Sequence, residues 1–381
     1  MSALVAAASL ALILLVLWDA FEAVLLPRRV TRQLRFARLY YVYAWTPWAA
    51  VARRMRPGKR RNTFLSLFGP LSVLGLIGLW AAGLVAGFAL LQWAVGSRLH
   101  GPDGATGLGT YFYLSGATIF TLGYGDVTPA DPLGRALAIA EAGLGFGFLA
   151  AVISYLPVLY QAFSGREVTI TLLDARAGSP PTAAQLLIRL ARGRKLAATD
   201  RLLEDWERWA AAVLESHVSF PMLSYFRSQH DNQSWLAALT AALDTSALVL
   251  AVVEGPDPYQ AGLTFAMARH AVVDLAQVYR APPTVAEPDR LPADRLRRLR
   301  IELAAAGLAL REGAAADRKF AELRGMYEPF VAALSRHFLL DLPPVLPETA
   351  PVDNWQTSAW MRRTRGLGGL TATEAADDHA D

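Results

Sequence analysis

The groups that could do chemistry lie together in one short string, Thr-Leu-Gly-Tyr-Gly-Asp at positions 121–126, called the TLGYGD string below. Glycine at alternate positions, Gly123 and Gly125, lets the backbone adopt left-handed conformations there at little cost. Successive carbonyl groups can then point the same way, with the Thr121 hydroxyl at the inner end and Tyr124 pointing away as a brace. Such a stack of oxygens can replace the water shell of a cation without a net charge that would trap it. The string therefore predicts a site through which a cation passes.

Three apolar runs surround this string, at residues 3–26, 70–95 and 133–163. Each is long enough to cross a hydrocarbon core of about 30 Å as a helix, and Pro70 suits the first turn of the second helix. Residues 111–120 are too few to cross but enough for a re-entrant helix. The predicted fold is an all-α membrane protein: three transmembrane helices, a re-entrant pore helix with a selectivity filter, and a mainly helical cytoplasmic domain. Gly83 and Gly87 provide a small-residue face for close helix contact.

The distribution of charge predicts the orientation in the membrane. Between Arg28 and Arg61 there are eleven basic residues and no acidic one, and the rest of the chain carries 26 basic against 33 acidic residues. The isoelectric point of 9.4 therefore comes from one block beside an apolar helix, and we expect no nucleic-acid partner. Because basic residues gather on the cytoplasmic side, we expect the N-terminus outside and everything after about residue 164 in the cytoplasm.

Two further features of composition narrow the possibilities. The chain has no cysteine, which excludes disulfides and thiolate metal sites. It has only three lysines against many arginines, which suggests a GC-rich bacterial genome and so the inner cell membrane.

The first apolar run could also be a cleaved signal peptide, but no basic residue precedes it and Arg28 and Arg29 follow directly. That arrangement favours an uncleaved helix.

Residues 111–129 resemble the pore helix, selectivity filter and following loop of the tetrameric potassium channels. The resemblance extends to Gly134-Arg135 and Gly145 and covers residues 64–163, preceded by an extra N-terminal helix. It implies a homotetramer in which the carbonyls of Thr121, Leu122, Gly123 and Tyr124, with the Thr121 hydroxyl, coordinate K⁺. No cofactor is implied beyond this permeant ion.

Further residues are predicted to support the filter or to open the pore. The support residues would be Gly125, Asp126, Thr118 and Glu141, and the resemblance implies that Asp126 ties the filter to its surroundings. Glu141 lies about two turns inside the third apolar run, an expensive place for a carboxylate, so it is expected to be either protonated or hydrogen-bonded behind the pore helix near Thr118 or Tyr113. The gate or hinge residues would be Gly145, Gly147 and Pro157. Gly145 serves either as a flexible point or for close packing against the pore helix, and the sequence does not separate these two roles.

The string departs from the family pattern at two positions. Leu122 stands where valine or isoleucine is usual, and Phe120 replaces a small hydroxyl residue. A non-selective cation channel therefore stays open as an alternative, as does a membrane-tethered sensor or interaction protein that has lost conduction. An enzyme is not expected, because the soluble part lacks a nucleophile–base pair, a phosphate loop and a metal-ligand cluster.

The predicted organisation has five parts. They are an N-terminal transmembrane helix at 1–27, a basic segment at 28–63, the pore domain at 64–163, a helical cytoplasmic domain at 164–342 and a disordered tail at 343–381. The basic segment, with its aromatic residues, either lies in the headgroup region or packs on the channel's own helices. In the cytoplasmic domain, residues 167–173 alternate like a short strand before six helical patterns. This domain is expected to sense a ligand, to bind a partner protein or to clamp the tetramer, and the sequence does not identify the ligand or partner.

Overall fold

The computed structural model describes residues 2–24, 36–101, 107–230, 232–285 and 287–348. Helices account for 75% of these described residues, and the chain divides into two compact units, residues 1–161 and residues 162–381. The first unit contains helices α1 (Ser2–Val24), α2 (Phe36–Arg54), α3 (Lys59–Ala94) and α4 (Leu108–Ile119), and two-residue strands β1 (Leu99–His100) and β2 (Thr128–Pro129). Helix α5 (Pro132–Ala177) begins in the first unit and ends in the second.

Helices α1, α3 and α5 are long and apolar enough to cross a membrane. The protein is therefore a membrane protein of the all-α class. Helix α1 packs on α3 at the two glycines that the sequence singled out. A Cβ added at Gly83 would lie 2.9 Å from Val16 Cγ2, and one added at Gly87 would lie 2.5 Å from Ile13 Cγ1. The absence of side chains at these positions permits the close approach.

The prediction that Pro70 opens the second apolar helix is wrong. Helix α3 begins at Lys59, and Pro70 lies inside it. The apolar run marks where the helix is hydrophobic, whereas the helix itself extends through a basic first turn. Membrane-protein helices tolerate an interior proline because neighbouring groups can satisfy the freed carbonyl.

The strand predicted at residues 167–173 is also wrong, because helix α5 continues through it to Ala177. Ile170, Leu173 and Ala177 are almost fully buried, and their spacing places them on one face of a helix. This burial outweighs the local strand preference of the threonine, valine and isoleucine residues.

Of the predicted basic segment, residues 28–35 lie outside the described residues, and the remainder is dominated by helix α2. This helix packs on α3: the Trp48 ring stacks on Phe64 with centroids 4.4 Å apart, and Trp45 meets Phe68 edge-on. Tyr41 and Ala49 are buried on the same side of α2. In the structure, therefore, this segment packs on the protein's own helices, one of the two arrangements that the sequence allowed.

The second unit is helical. Its elements are α6 (Ala183–Arg192), α7 (Ala198–Ser219), a 3₁₀ helix (Pro221–Tyr225), α8 (Trp235–Ala251), α9 (Pro258–Val278), α10 (Ala293–Ala305), α11 (Ala314–Gly325) and α12 (Glu328–Phe338). Helix α8 is buried along almost its whole length and contacts α6, α7, α9, α11 and α12. The Ser234 hydroxyl caps its N-terminus by accepting the Ala237 N–H at 3.0 Å. This helix is the core around which the second unit packs.

The prediction of a disordered tail from residue 343 is wrong for its first residues. Val345 and Leu346 are buried, the Val345 carbonyl accepts the Ala184 N–H at 3.2 Å, and Arg295 donates to the Leu346 carbonyl at 2.8 Å. Two apolar residues among prolines are enough to anchor this stretch to the helical core. Residues 349–381 of the predicted tail lie outside the described residues.

Candidate functional site

The TLGYGD string directly follows helix α4, which occupies residues 108–119 where the sequence predicted a short helix at 111–120. The last turn of α4 accepts the first backbone N–H groups of the string. Thr121 donates to the Thr118 carbonyl at 3.1 Å, and Leu122 donates to the Ala117 carbonyl at 2.8 Å. Helix α4 therefore determines where the string begins and in which direction it leaves.

The backbone of the string alternates in conformation. Thr121, Gly123 and Gly125 have φ angles of 56°, 58° and 77°, while Leu122 and Tyr124 do not have positive φ. The sequence predicted left-handed conformations at the two glycines but not at Thr121, because a β-branched residue is an outlier in that region. A left-handed backbone conformation at a residue other than glycine costs on the order of 1–3 kcal/mol, and such strained residues cluster at functional sites. In the described part of the chain, no donor is hydrogen-bonded to the carbonyl oxygens of residues 121–124.

Asp126, at the outer end of the string, is tied to helix α4. The Tyr113 hydroxyl donates to Asp126 Oδ2 at 2.8 Å, and the Val127 N–H donates to Oδ1 at 3.0 Å. The string is thus held at both ends by α4. The sequence placed Tyr113 only near Glu141; the signal for its contact with Asp126 was a hydroxyl on the short helix thirteen residues before an acid.

Strands β1 and β2 join the segment before helix α4 to the segment after the string. They pair antiparallel, with Leu99 opposite Pro129. Asp131 accepts the Arg98 N–H at 2.8 Å and the Gly134 N–H at 2.9 Å. These backbone N–H groups hold the pKa of Asp131 below its ordinary value. The arrangement fixes the start of α5 relative to the end of α3.

Glu141 lies on α5 and is completely buried. Neither of the two residues near which the sequence placed its hydrogen bond is its partner. The Thr118 hydroxyl donates to the Leu114 carbonyl of its own helix at 2.7 Å, and Tyr113 is bound to Asp126. Glu141 instead contacts the hydroxyl of Ser115 on α4 and the amide of Gln92 on α3. Sequence reasoning missed both partners, although each is a polar residue within an apolar helix.

The three predicted gate or hinge residues have different surroundings. Gly145 packs against the end of α4, where an added Cβ would lie 2.6 Å from the Ile119 carbonyl oxygen. Gly147 has nothing within 4 Å of an added Cβ. Pro157 lies inside α5, and the helix continues on both sides of it. Close packing at Gly145 thus has direct geometric support, and bending at these three positions stays a prediction.

Comparison with known proteins identifies the class of domain that carries this site. A family model described as "Ion channel" matches residues 76–161, which include the C-terminal half of α3, all of α4, the TLGYGD string and the first part of α5. Residues 76–161 are therefore similar to the ion channel family.

Protein LctB of Geobacillus stearothermophilus is 36% identical over 85 residues, which are 20% of this chain and 63% of that protein. The chain thus spans less than two thirds of this relative's length. No solved structure matches the chain.

Proposed function

We propose that this chain is the subunit of a potassium-selective channel that conducts K⁺ down its electrochemical gradient. The ion-binding groups are the carbonyls of Thr121, Leu122, Gly123 and Tyr124, together with the Thr121 hydroxyl. Gly125, Asp126, Thr118 and Glu141 support this filter. The ion channel domain at residues 76–161 supports the general class, and the chemistry of the string supports the choice of ion.

The observation that carries the proposal is the left-handed φ at residues 121, 123 and 125. A residue with positive φ between two residues with negative φ rotates the intervening peptide planes. Consecutive backbone carbonyls can then point to the same side of the chain. A potassium ion must exchange its water shell for protein oxygens at similar distance, and rings of carbonyl dipoles supply them. The absence of hydrogen-bond donors to these carbonyls among the described residues leaves the oxygens available to an ion.

Four copies of the chain complete the site. One string offers one oxygen at each level, whereas a dehydrated cation needs a ring of them, so several subunits must surround one axis. In the single chain, Leu122 and Tyr124 are 54% and 69% exposed. Neighbouring subunits in a homotetramer would cover these large side chains and brace the filter.

We place this channel in the inner cell membrane of a bacterium. The basic block at residues 28–61 puts α2 on the cytoplasmic side, the N-terminus outside and the second unit in the cytoplasm. The second unit regulates opening through a ligand or partner protein of its own. Gly145, Gly147 and Pro157 are the positions on α5 at which opening would occur.

Potassium efflux from liposomes tests this function with two matched glycine variants. Gly123→Ala places a side chain at a positive φ inside the string, and we expect K⁺ flux to fall by more than about tenfold. Gly143→Ala is the control, because Gly143 lies in α5 with nothing within 4 Å of an added Cβ. Unchanged flux in Gly123→Ala, with equal insertion of both variants, would contradict the assignment of the filter.

A further inference from the structure

Three fully buried polar side chains from three different helices meet in the apolar first unit. Glu141 of α5 is 0% exposed, and Gln92 of α3 and Ser115 of α4 are each 1% exposed. The Ser115 oxygen contacts Glu141 Oε1 and lies 2.9 Å from the Val85 carbonyl oxygen of α3. Ser115 lies on α4, the helix that holds the filter string, and the three residues are called the Glu141 cluster below.

The number of hydrogens available at Ser115 restricts the protonation state of Glu141. A serine hydroxyl has one hydrogen to donate and two lone pairs to accept with. If Glu141 were ionised, both neighbours of the hydroxyl would be acceptors, and only one of the two contacts could be a hydrogen bond. Both contacts are hydrogen bonds when the carboxyl group donates to Ser115 and Ser115 donates to Val85.

The surroundings of the Glu141 carboxyl group also favour its protonated form. The side chains that reach Glu141 are neutral: Ser115 from α4 and Gln92 from α3. Glu141 Oε2 and Gln92 Oε1 have no hydrogen-bond partner among the described residues. An ionised carboxylate buried without a cation or sufficient donors costs several kcal/mol, and more inside a membrane. A protonated carboxyl group avoids that cost.

We infer that Glu141 is a protonated carboxylic acid that donates a hydrogen bond to Ser115, which in turn donates to the Val85 carbonyl. This chain of hydrogen bonds joins α5, α4 and α3 behind the string. Glu141 is therefore a positioning residue, since the last turn of α4 accepts the N–H groups of Thr121 and Leu122. The effect on ion selection rests on the proposed function, whereas the protonation state does not.

Infrared spectroscopy of the full chain in lipid tests the protonation state without any need for conduction. We expect the wild-type protein at neutral pH to show the carbonyl stretch of a protonated carboxylic acid, and Glu141→Gln to lose it. Ser115→Ala removes the hydrogen-bond acceptor and should shift the band. The control is Glu204→Gln, which changes an exposed glutamate of α7 and should leave the band in place. A spectrum in which Glu141→Gln removes no such band would overturn the inference.

Electrical measurement tests the positioning role separately. The amide of Glu141→Gln is neutral and can still donate to Ser115, so we expect this variant to keep the wild-type preference for potassium over sodium. Glu141→Ala removes the donor and should reduce that preference by more than about tenfold. Equal loss in both variants would contradict a role for the donor. A wild-type protein that carries no current would contradict the proposed function but leave the infrared result intact.

Discussion

Gly145 faces the backbone of Ile119 so closely that there is no room for a side chain at Gly145. A Cβ at Gly145 would lie 2.6 Å from the Ile119 carbonyl oxygen and 2.9 Å from its Cα. Ile119 is the last residue of α4 and is fully buried. The contact therefore sets how near α5 can pass to the start of the TLGYGD string.

Gly145→Ala should destabilise the protein, because an added methyl group must push α5 away from α4. Overpacking of this kind costs about 1–3 kcal/mol. The measurement is the midpoint of thermal unfolding in detergent, with Gly147→Ala as the control, because a methyl group at Gly147 meets open space. If both variants unfolded at the same temperature, the close packing of Gly145 would not matter to stability.

The sequence allowed prediction of the features that depend on strong periodic or local signals. Long apolar runs predict membrane helices whatever the tertiary structure, and alternating glycines predict an unusual backbone at Gly123 and Gly125. The resemblance at residues 111–129 predicted the order of helix, string and helix. These signals are local, so no knowledge of long-range packing was necessary.

Other features depend on contacts that are distant in sequence. The valine and threonine residues near Ile170 favour a strand locally, and burial of this stretch within the second unit favours the helix instead. The partner of Glu141 depends on which face of α4 meets α5, and the sequence placed the hydrogen bond only near Thr118 or Tyr113 on that helix. A threonine in the sequence does not predict a positive φ, so the conformation of Thr121 could not be foreseen. The surrounding structure imposes it.

Asp19 connects the first three helices, and its replacement by alanine should weaken them. Its two carboxylate oxygens accept the Ala37 N–H at 3.1 and 3.0 Å in the first turn of α2, and Oδ2 also accepts Trp80 Nε1 of α3 at 2.9 Å. Loss of a helix cap costs about 0.5–2 kcal/mol. We expect Asp19→Ala to lower the thermal midpoint more than Trp80→Phe, which removes only one of these bonds. An Asp19→Ala protein as stable as the wild type would contradict this role.

His217 should make the stability of the second unit depend on pH. Burial, followed by the positive charge of Arg166, lowers the pKa of His217 well below its ordinary value of 6.5. Arg166 Nη1 lies 3.2 Å from His217 Nε2, and Nδ1 lies 2.8 Å from the Val213 carbonyl. This geometry suits a neutral ring that accepts from Arg166 and donates to Val213.

The sign of the effect follows from proton binding. Below pH 6.5 the unfolded chain binds a proton at this histidine that the folded protein does not, so the free energy of unfolding decreases as the pH falls toward the folded-state pKa. Well above pH 6.5 neither the folded nor the unfolded chain binds a proton at this histidine, so it does not change the free energy of unfolding as the pH varies. Thermal midpoints measured from about pH 8 to about pH 5 should show a shallower decline in His217→Gln. His270→Gln, at a 61% exposed side chain, is the control and should leave the decline unchanged.

Arg290 and Asp244 form a buried ion pair at the centre of the second unit. Their side chains are 8% and 1% exposed, and Asp244 also accepts the Tyr327 hydroxyl. Arg290→Met leaves the carboxylate without its cation, and we expect a loss of about 3–5 kcal/mol. The double variant Arg290→Met/Asp244→Leu should recover most of that loss, since it removes both charges.

An exposed ion pair provides the comparison for the buried pair of Arg290 and Asp244. Arg208 pairs with Glu204, with side chains 65% and 49% exposed. Arg208→Ala should change stability by less than about 1 kcal/mol. Chemical denaturation followed by tryptophan fluorescence measures all of these variants. If the double variant at residues 244 and 290 were no more stable than Arg290→Met, burial of an unpaired charge would not explain the loss.

The reversal potential of the purified full chain tests whether the TLGYGD string forms a potassium-selective pore. The protein is placed in a planar lipid bilayer with potassium on one side and sodium on the other. Because carbonyl rings replace the water shell of potassium, we predict a reversal close to the potassium equilibrium potential. A clear current that reverses near zero would contradict the account, because the string would then pass sodium as readily as potassium.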